Sequence, residues 1–125
     1  DKQVDGETKQ AALAALGACD FVKNVIVVDA DIDVFNEREV LWAVATRVQA
    51  DRDVDIIKDV KGNTLDPSQT DDIMTAKLII DATKPARRPF ASRVEVPADA
   101  LDRTRLEDFI PAEILERLNV SPEGS

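Results

Sequence analysis

The stretch that most constrains the fold is residues 25–47, VIVVDADIDVFNEREVLWAVATR. Val25, Ile26, Val27 and Val28 form an unbroken β-branched run, as expected of a strand buried on both faces in a parallel or mixed sheet. The run ends in acid, with Asp29, Asp31 and Asp33 on alternate positions. Asn36 then stands three residues before Glu39, the spacing of a capping box at the start of a helix. The unit reads as strand, acidic loop, helix. Because ligands in open α/β sheets bind at the carboxyl ends of strands, this loop is the first place to look for chemistry.

The flanking segments supply the rest of the expected domain. Asp5-Gly6 opens a helix over residues 7–18, whose Ala11, Ala12, Leu13, Ala15 and Leu16 give a small-residue face suited to packing on a sheet. In the second helix Val40, Val44 and Val48 fall at i, i+4 and i+8, while Glu37, Arg38 and Arg47 take polar positions. Trp42 lies off the valine line, either at the core edge or as an anchor for another domain. Residues 54–58 (VDIIK) form a second strand, followed by a polar loop to about Asp72, and residues 77–81 (KLIID) a third. ATKPARRP, with two prolines and paired arginines, fits no regular element. Val94 to Val96 is expected to be extended. Two short helices follow, over residues 101–109 and 111–118, with proline first in the second helix and Asn119 as its stop. Ile110, Ile114, Leu115 and Leu118 make an apolar stripe that either docks on a partner or packs on its own sheet. The last residues, 120–125, are expected to fray.

The expected fold is therefore α/β, a two-layer or three-layer sandwich with a partly parallel sheet flanked by helices and a C-terminal helical extension. The division falls between residues 1–100 and 101–125, the latter an interface. Composition agrees with one modest core: 44% of the 125 residues are hydrophobic and 33% charged. A net charge of −9 opposes binding to nucleic acid or anionic membrane. The chain has no histidine, which excludes imidazole catalysis and His-ligated metal. The single Cys19 is expected to be a small buried hydrophobe. With no apolar run long enough to span a bilayer and no signal-like stretch, a cytoplasmic location is expected. The start on Asp1 suggests a fragment, a processed chain or a trimmed product.

Several chemistries for the aspartates can be weighed. An EF-hand fails because its sixth position is Val34, not glycine, and its twelfth is Val40, not glutamate. A receiver-like signalling domain phosphorylated on the acidic loop is the main alternative function. It is weakened because Asp59 follows an intervening lysine and a whole helix precedes Asp29. A haloacid-dehalogenase-type phosphatase would want a small hydroxyl residue at Asp33. None of the four glycines belongs to a dinucleotide fingerprint. Taken on residues alone, the aspartates read as a solvated loop that caps and orients the next helix.

Taken together, VIVVDADIDVFNEREVLWAVATRVQADRDV, LDPS and KLIIDATKP closely resemble the C-terminal domain of the UbiD-type decarboxylases. The resemblance covers residues 5–118. It implies a prenylated-FMN-dependent (de)carboxylase acting on aromatic or α,β-unsaturated acids, in which this domain closes the active site and supports a homo-oligomer. The flavin, its divalent manganese and potassium ions, and the catalytic Glu-Arg-Glu set would belong to a preceding N-terminal portion, so this chain carries no catalytic or metal residue and is inactive alone. A family strand just before residue 1 would be missing. Lys77 matches a lysine expected to reach the flavin phosphate. Asp81, Thr83 and Pro85 fall in the stretch that approaches the substrate. The aspartate signature carries no transferable chemical role, and loop architecture is its expected task.

Overall fold

A computed structural model of the chain describes residues 2–70 and 72–117. The elements are α1 (Glu7–Ala18), β1 (Asn24–Val28), α2 (Glu37–Arg47), β2 (Val54–Lys61), β3 (Met74–Ala82), α3 (Ala98–Arg103), a 3₁₀ turn (Leu106–Asp108) and α4 (Ala112–Arg117). The strands form one sheet in the order β1-β3-β2. β1 runs parallel to β3, with Val25 opposite Ile79 and Val27 opposite Asp81. β2 runs antiparallel to β3, with Val54 opposite Ile80 and Ile57 opposite Lys77. The expected α/β class with a partly parallel sheet is what forms.

Alternation along β3 assigns the two faces. Lys77, Ile79 and Asp81 point to the α1 side, where Ile79 packs on Ala12 and Leu16 with Val25, Val27 and Ile57 around them. On the opposite face, near the carboxyl ends of β1 and β3, Ala82 packs against Ala43 of α2 and Ile32 of the acidic loop. Trp42 joins this second cluster, half-buried, beside Val28, Val40, Val44 and Val48. A helix on each side makes the arrangement three-layered at that end of the sheet.

Several sequence expectations change. The α1 face is narrower than expected: Thr8, Ala12 and Leu16 are its buried line, while Leu13 is 46% exposed. β1 is not buried on both faces, because it lies at the sheet edge and its second face is only partly covered. Ile26 there is 40% exposed, and Ile56 on the same face is 63% exposed. Cys19 is exposed rather than buried. It caps the end of α1 in an extended conformation, and its carbonyl does the structural work.

β2 runs further than expected because its register slips between Ile57 and Val60, with Asp59 at φ 56. Aspartate tolerates this left-handed backbone better than most residues. The loop into β3 is also organised. Asp66 accepts Lys23 Nζ at 2.7 Å and the Ser68 N–H at 3.0 Å. The Lys23 ammonium first, and then Ser68, hold its carboxyl well below the ordinary range.

The chain divides into two compact units at Phe90/Ala91, earlier than the expected break at residue 100. Residues 84–86 still belong to the first unit because the Lys84 N–H donates to Asp29 at 2.7 Å and the Ala86 N–H to Asp5 at 3.0 Å. In the second unit Val94 to Val96 takes no regular structure. Pro111 precedes α4 rather than opening it, its carbonyl accepting the Ile114 and Leu115 N–H groups. Within the stripe Leu115 is buried and Ile114 is 45% exposed; the expectations for Leu118, Asn119 and the last residues lie outside the described ones.

Candidate functional site

The acidic loop owes its shape to a residue that sequence reasoning placed on the surface. Arg47, at the end of α2, has a side chain only 2% exposed. Its Nη1 donates to Asp29 Oδ2 at 2.9 Å, and its Nη1 and Nη2 form a fork on Asp31 at 3.0 and 2.9 Å. The guanidinium also lies 5.3 Å from the Trp42 ring centroid. Lys84 adds its Nζ to Asp31 at 2.9 Å while its N–H joins Arg47 on Asp29. Arg47 first, then Lys84, holds the Asp31 carboxyl far below its ordinary value. Asp33 instead accepts the Phe35 N–H at 2.9 Å, and Asn36 caps α2 by accepting the Arg38 N–H at 3.1 Å.

Asp29 and Asp31 are therefore engaged by cations within the fold, and the loop pins the end of β1 to α2 and to the exit from β3. Arg47 was legible in one respect. It lies on the row Val40, Ala43, Arg47, at i, i+3 and i+7, so a cation on a buried helix line called for a partner.

The chemistry-bearing cavity lies around the carboxyl end of β3 and has a volume of about 460 Å³. The N-terminus of α1, the start of β2 and the segment after β3 form its walls. Asp81, Thr83 and Pro85, the three expected pocket residues, all line it. Asp81 is held from three sides: it accepts the Thr8 hydroxyl, the Thr83 hydroxyl and the Thr83 N–H, the last at 3.0 Å. Lys2 Nζ stands 3.7 Å from Asp81 and 3.0 Å from Asp5. The Ala86 N–H, more than Lys2, lowers the exposed Asp5 carboxyl below its ordinary value.

Lys77 is not among the residues lining this cavity. Its side chain runs under the other end of α1, where Nζ donates to the carbonyls of Leu16 at 2.9 Å and Cys19 at 3.3 Å. A cation at a helix C-terminus satisfies carbonyls left without intrahelical donors and meets the negative end of the dipole. The ammonium has three protons, so at most one remains for a phosphate. Among the described residues no group of three acidic or thiol side chains is placed to hold a metal ion.

Residues 1–82 match the family described as the 3-octaprenyl-4-hydroxybenzoate carboxy-lyase C-terminal domain. The chain belongs to this UbiD-type domain family. The match overturns the receiver-like signalling alternative, in keeping with an acidic loop already engaged by Arg47 and Lys84. Among curated relatives, the anhydromevalonate phosphate decarboxylase of Aeropyrum pernix is 51% identical over 85 residues, which are 68% of this chain and 19% of the relative. The chain thus spans about a fifth of the length of the curated relatives it matches.

Among solved structures, the UbiD-class enzyme HmfF of Pelotomaculum thermopropionicum, in complex with FMN, superposes with a TM-score of 0.72 at 46% identity, covering 87% of this chain and 24% of that one. An evolved dimeric form of HmfF contains prFMN. The vanillic acid decarboxylase of Sedimentibacter hydroxybenzoicus, in its closed form, superposes at 0.68 with 35% identity, covering 95% of this chain and 25% of that one. It is also known in an open form. Among the described residues of the UbiD-type chain, no helix is long and apolar enough to cross a membrane.

Proposed function

We propose that this chain is the C-terminal domain of a prenylated-FMN-dependent decarboxylase acting on an aromatic or α,β-unsaturated carboxylic acid. The observation that carries the reading is the shared fold, at 46% identity over 87% of the chain, with an enzyme that holds FMN. The open and closed forms of the vanillic acid decarboxylase support a domain that closes over the substrate. The flavin, bound mainly by an N-terminal portion of the enzyme with its manganese and potassium ions, supplies the electron sink for loss of CO₂. This domain's own work is to exclude water and to bring Asp81, Thr83 and Pro85 toward the substrate.

Lys77 contributes at most one hydrogen bond to the flavin phosphate, because two carbonyls already hold its Nζ. A cytoplasmic homo-oligomer belongs to the same proposal. Its support is the apolar surface left at Ile26, Ile56 and Ile114, which a larger assembly would cover.

The test is reconstitution. An N-terminal flavin-loaded portion is assayed for CO₂ release from a panel of aromatic and unsaturated acids, with and without this chain, and the chain is assayed alone. Activity only in the combination is expected. Undiminished activity of the N-terminal portion by itself would sink the reading. A parallel measurement of flavin occupancy in the Lys77→Met enzyme checks the phosphate contact, where a partial loss is expected and normal occupancy would remove Lys77 from the cofactor site.

A further inference from the structure

The second torsion of an aspartate side chain is soft, so the plane of its carboxyl group is set by its partners. Asp81, in the wall of the 460 Å³ cavity, has one oxygen fully engaged: Oδ1 accepts both the N–H and the hydroxyl of Thr83. Oδ2 accepts one hydrogen bond, from the hydroxyl of Thr8 in the first turn of α1. A carboxylate has about four lone-pair sites, so the site left open is on Oδ2. Lys2 Nζ, at 3.7 Å, stands too far away to fill it with a hydrogen bond. The Asp81 side chain is 21% exposed, whereas Thr8 and Thr83 are buried. The open site therefore belongs to a group that solvent can reach, and a buried hydroxyl from another element sets its direction.

The Thr8 hydroxyl does little for the helix that carries it. Ala12 and Leu16 pack α1 on Ile79, and Lys77 ties the far end of α1 to β3 through the carbonyls of Leu16 and Cys19. Hydroxyl and carboxyl groups at a helix start usually accept the free N–H groups of the first turn. Here Gly6 is the N-cap, no side chain caps the helix, and Asp5 accepts the Ala86 N–H instead. The Thr8 proton goes to Asp81. A local rule given up beside a cavity is the expected signature of a functional position.

We propose that Thr8 is a positioning residue: it aims the open lone pair of Asp81 Oδ2 into the cavity, and so fixes the orientation of the acid bound there. The inference rests on the decarboxylase reading and adds to it a residue of α1 that no motif carries. Thr8 acts through Asp81. Misplacing a positioning group by about 1 Å costs on the order of 10²-fold in rate, because orientation is lost while the surface that binds the substrate stays.

The experiment is a double-mutant cycle in the reconstituted enzyme, the flavin-loaded N-terminal portion combined with this chain. CO₂ release is measured from the acid that the wild-type combination turns over fastest. Thr8→Val keeps the shape and removes the hydroxyl, and it is expected to lower kcat by about tenfold or more with KM changed by less than about threefold. Thr8→Ser, which keeps the hydroxyl, is expected to restore kcat to within about threefold of wild type. Asp81→Asn is expected to lower kcat as well, and Thr8→Val added to it to cost no more than about twofold further, because the group that Thr8 positions is already altered. A merely structural loss would instead appear in both backgrounds alike. Unchanged kcat in Thr8→Val or in Asp81→Asn, no rescue by Thr8→Ser, or a full additive loss in the double variant would overturn the proposal and leave the decarboxylase reading in place. No CO₂ release by the wild-type combination from any acid would overturn that reading, and this proposal with it.

Discussion

Two buried cations at opposite ends of the domain divide the work differently. Lys77, 3% exposed, meets main-chain carbonyls at the C-terminus of α1, where its positive charge faces a helix dipole. Arg47, 7% exposed, meets two carboxylates and the face of an indole. The lysine fastens one helix to one strand. The arginine fastens three segments, because Asp29 and Asp31 also hold Lys84 beyond β3. A single cation against carbonyls makes a local joint, whereas a forked one against carboxylates makes a crosslink. The first supports the core, and the second shapes the rim of the cavity.

The largest expected effect comes from breaking the crosslink. Arg47→Ala strands the buried Asp29 carboxylate and is expected to cost about 3–5 kcal/mol, read as a shift in the urea midpoint. A cost below that of any Lys77 variant would reverse the comparison. Lys77→Met keeps the aliphatic stem but leaves the carbonyls of Leu16 and Cys19 without their donor, at an expected cost of about 1–3 kcal/mol in the same measurement.

The pH dependence separates the two cations further. Asp31 is held below its ordinary value of 3.8 by Arg47 and then Lys84, so the unfolded chain binds its proton more readily than the folded one. Its contribution is fully present above that ordinary value and fades as pH falls through the depressed folded value. Asp31→Asn is expected to flatten the acid limb of a stability profile below about pH 4, and Lys77→Met to leave that limb's slope unchanged. The smallest effect is that of Lys84→Ala. The Lys84 ammonium and Asp31 are both more than one-third exposed, so the loss is expected to stay below about 1 kcal/mol and to vanish at high salt. The Lys84 N–H continues to donate to Asp29 in that variant.

How much of this was legible varies along the chain. The helix over residues 7–18 and the Asn36 cap were readable because each depends on neighbours within one turn. The extent of β2 and β3 was not, because pairing across the polar loop, the slip after Ile57 and the turn of Asp59 into φ 56 belong to two strands at once. Asp81, Thr83 and Pro85 could be named from a motif and do gather at one cavity, but Arg52, Arg88 and Thr8 reach it from other elements and left no local signal. Lys77 was named for a flavin phosphate, whereas the carbonyls that hold its ammonium belong to α1 and its C-cap, some sixty positions away in the sequence.

By itself the sequence determined most element types, the partly parallel class and the family, because periodicity, caps and the order of motifs are written in consecutive residues. Only the tertiary structure decided which cation answers which charge. An aspartate pair and an arginine separated by sixteen or more residues become partners when a helix folds back on a strand, and no local pattern encodes that return.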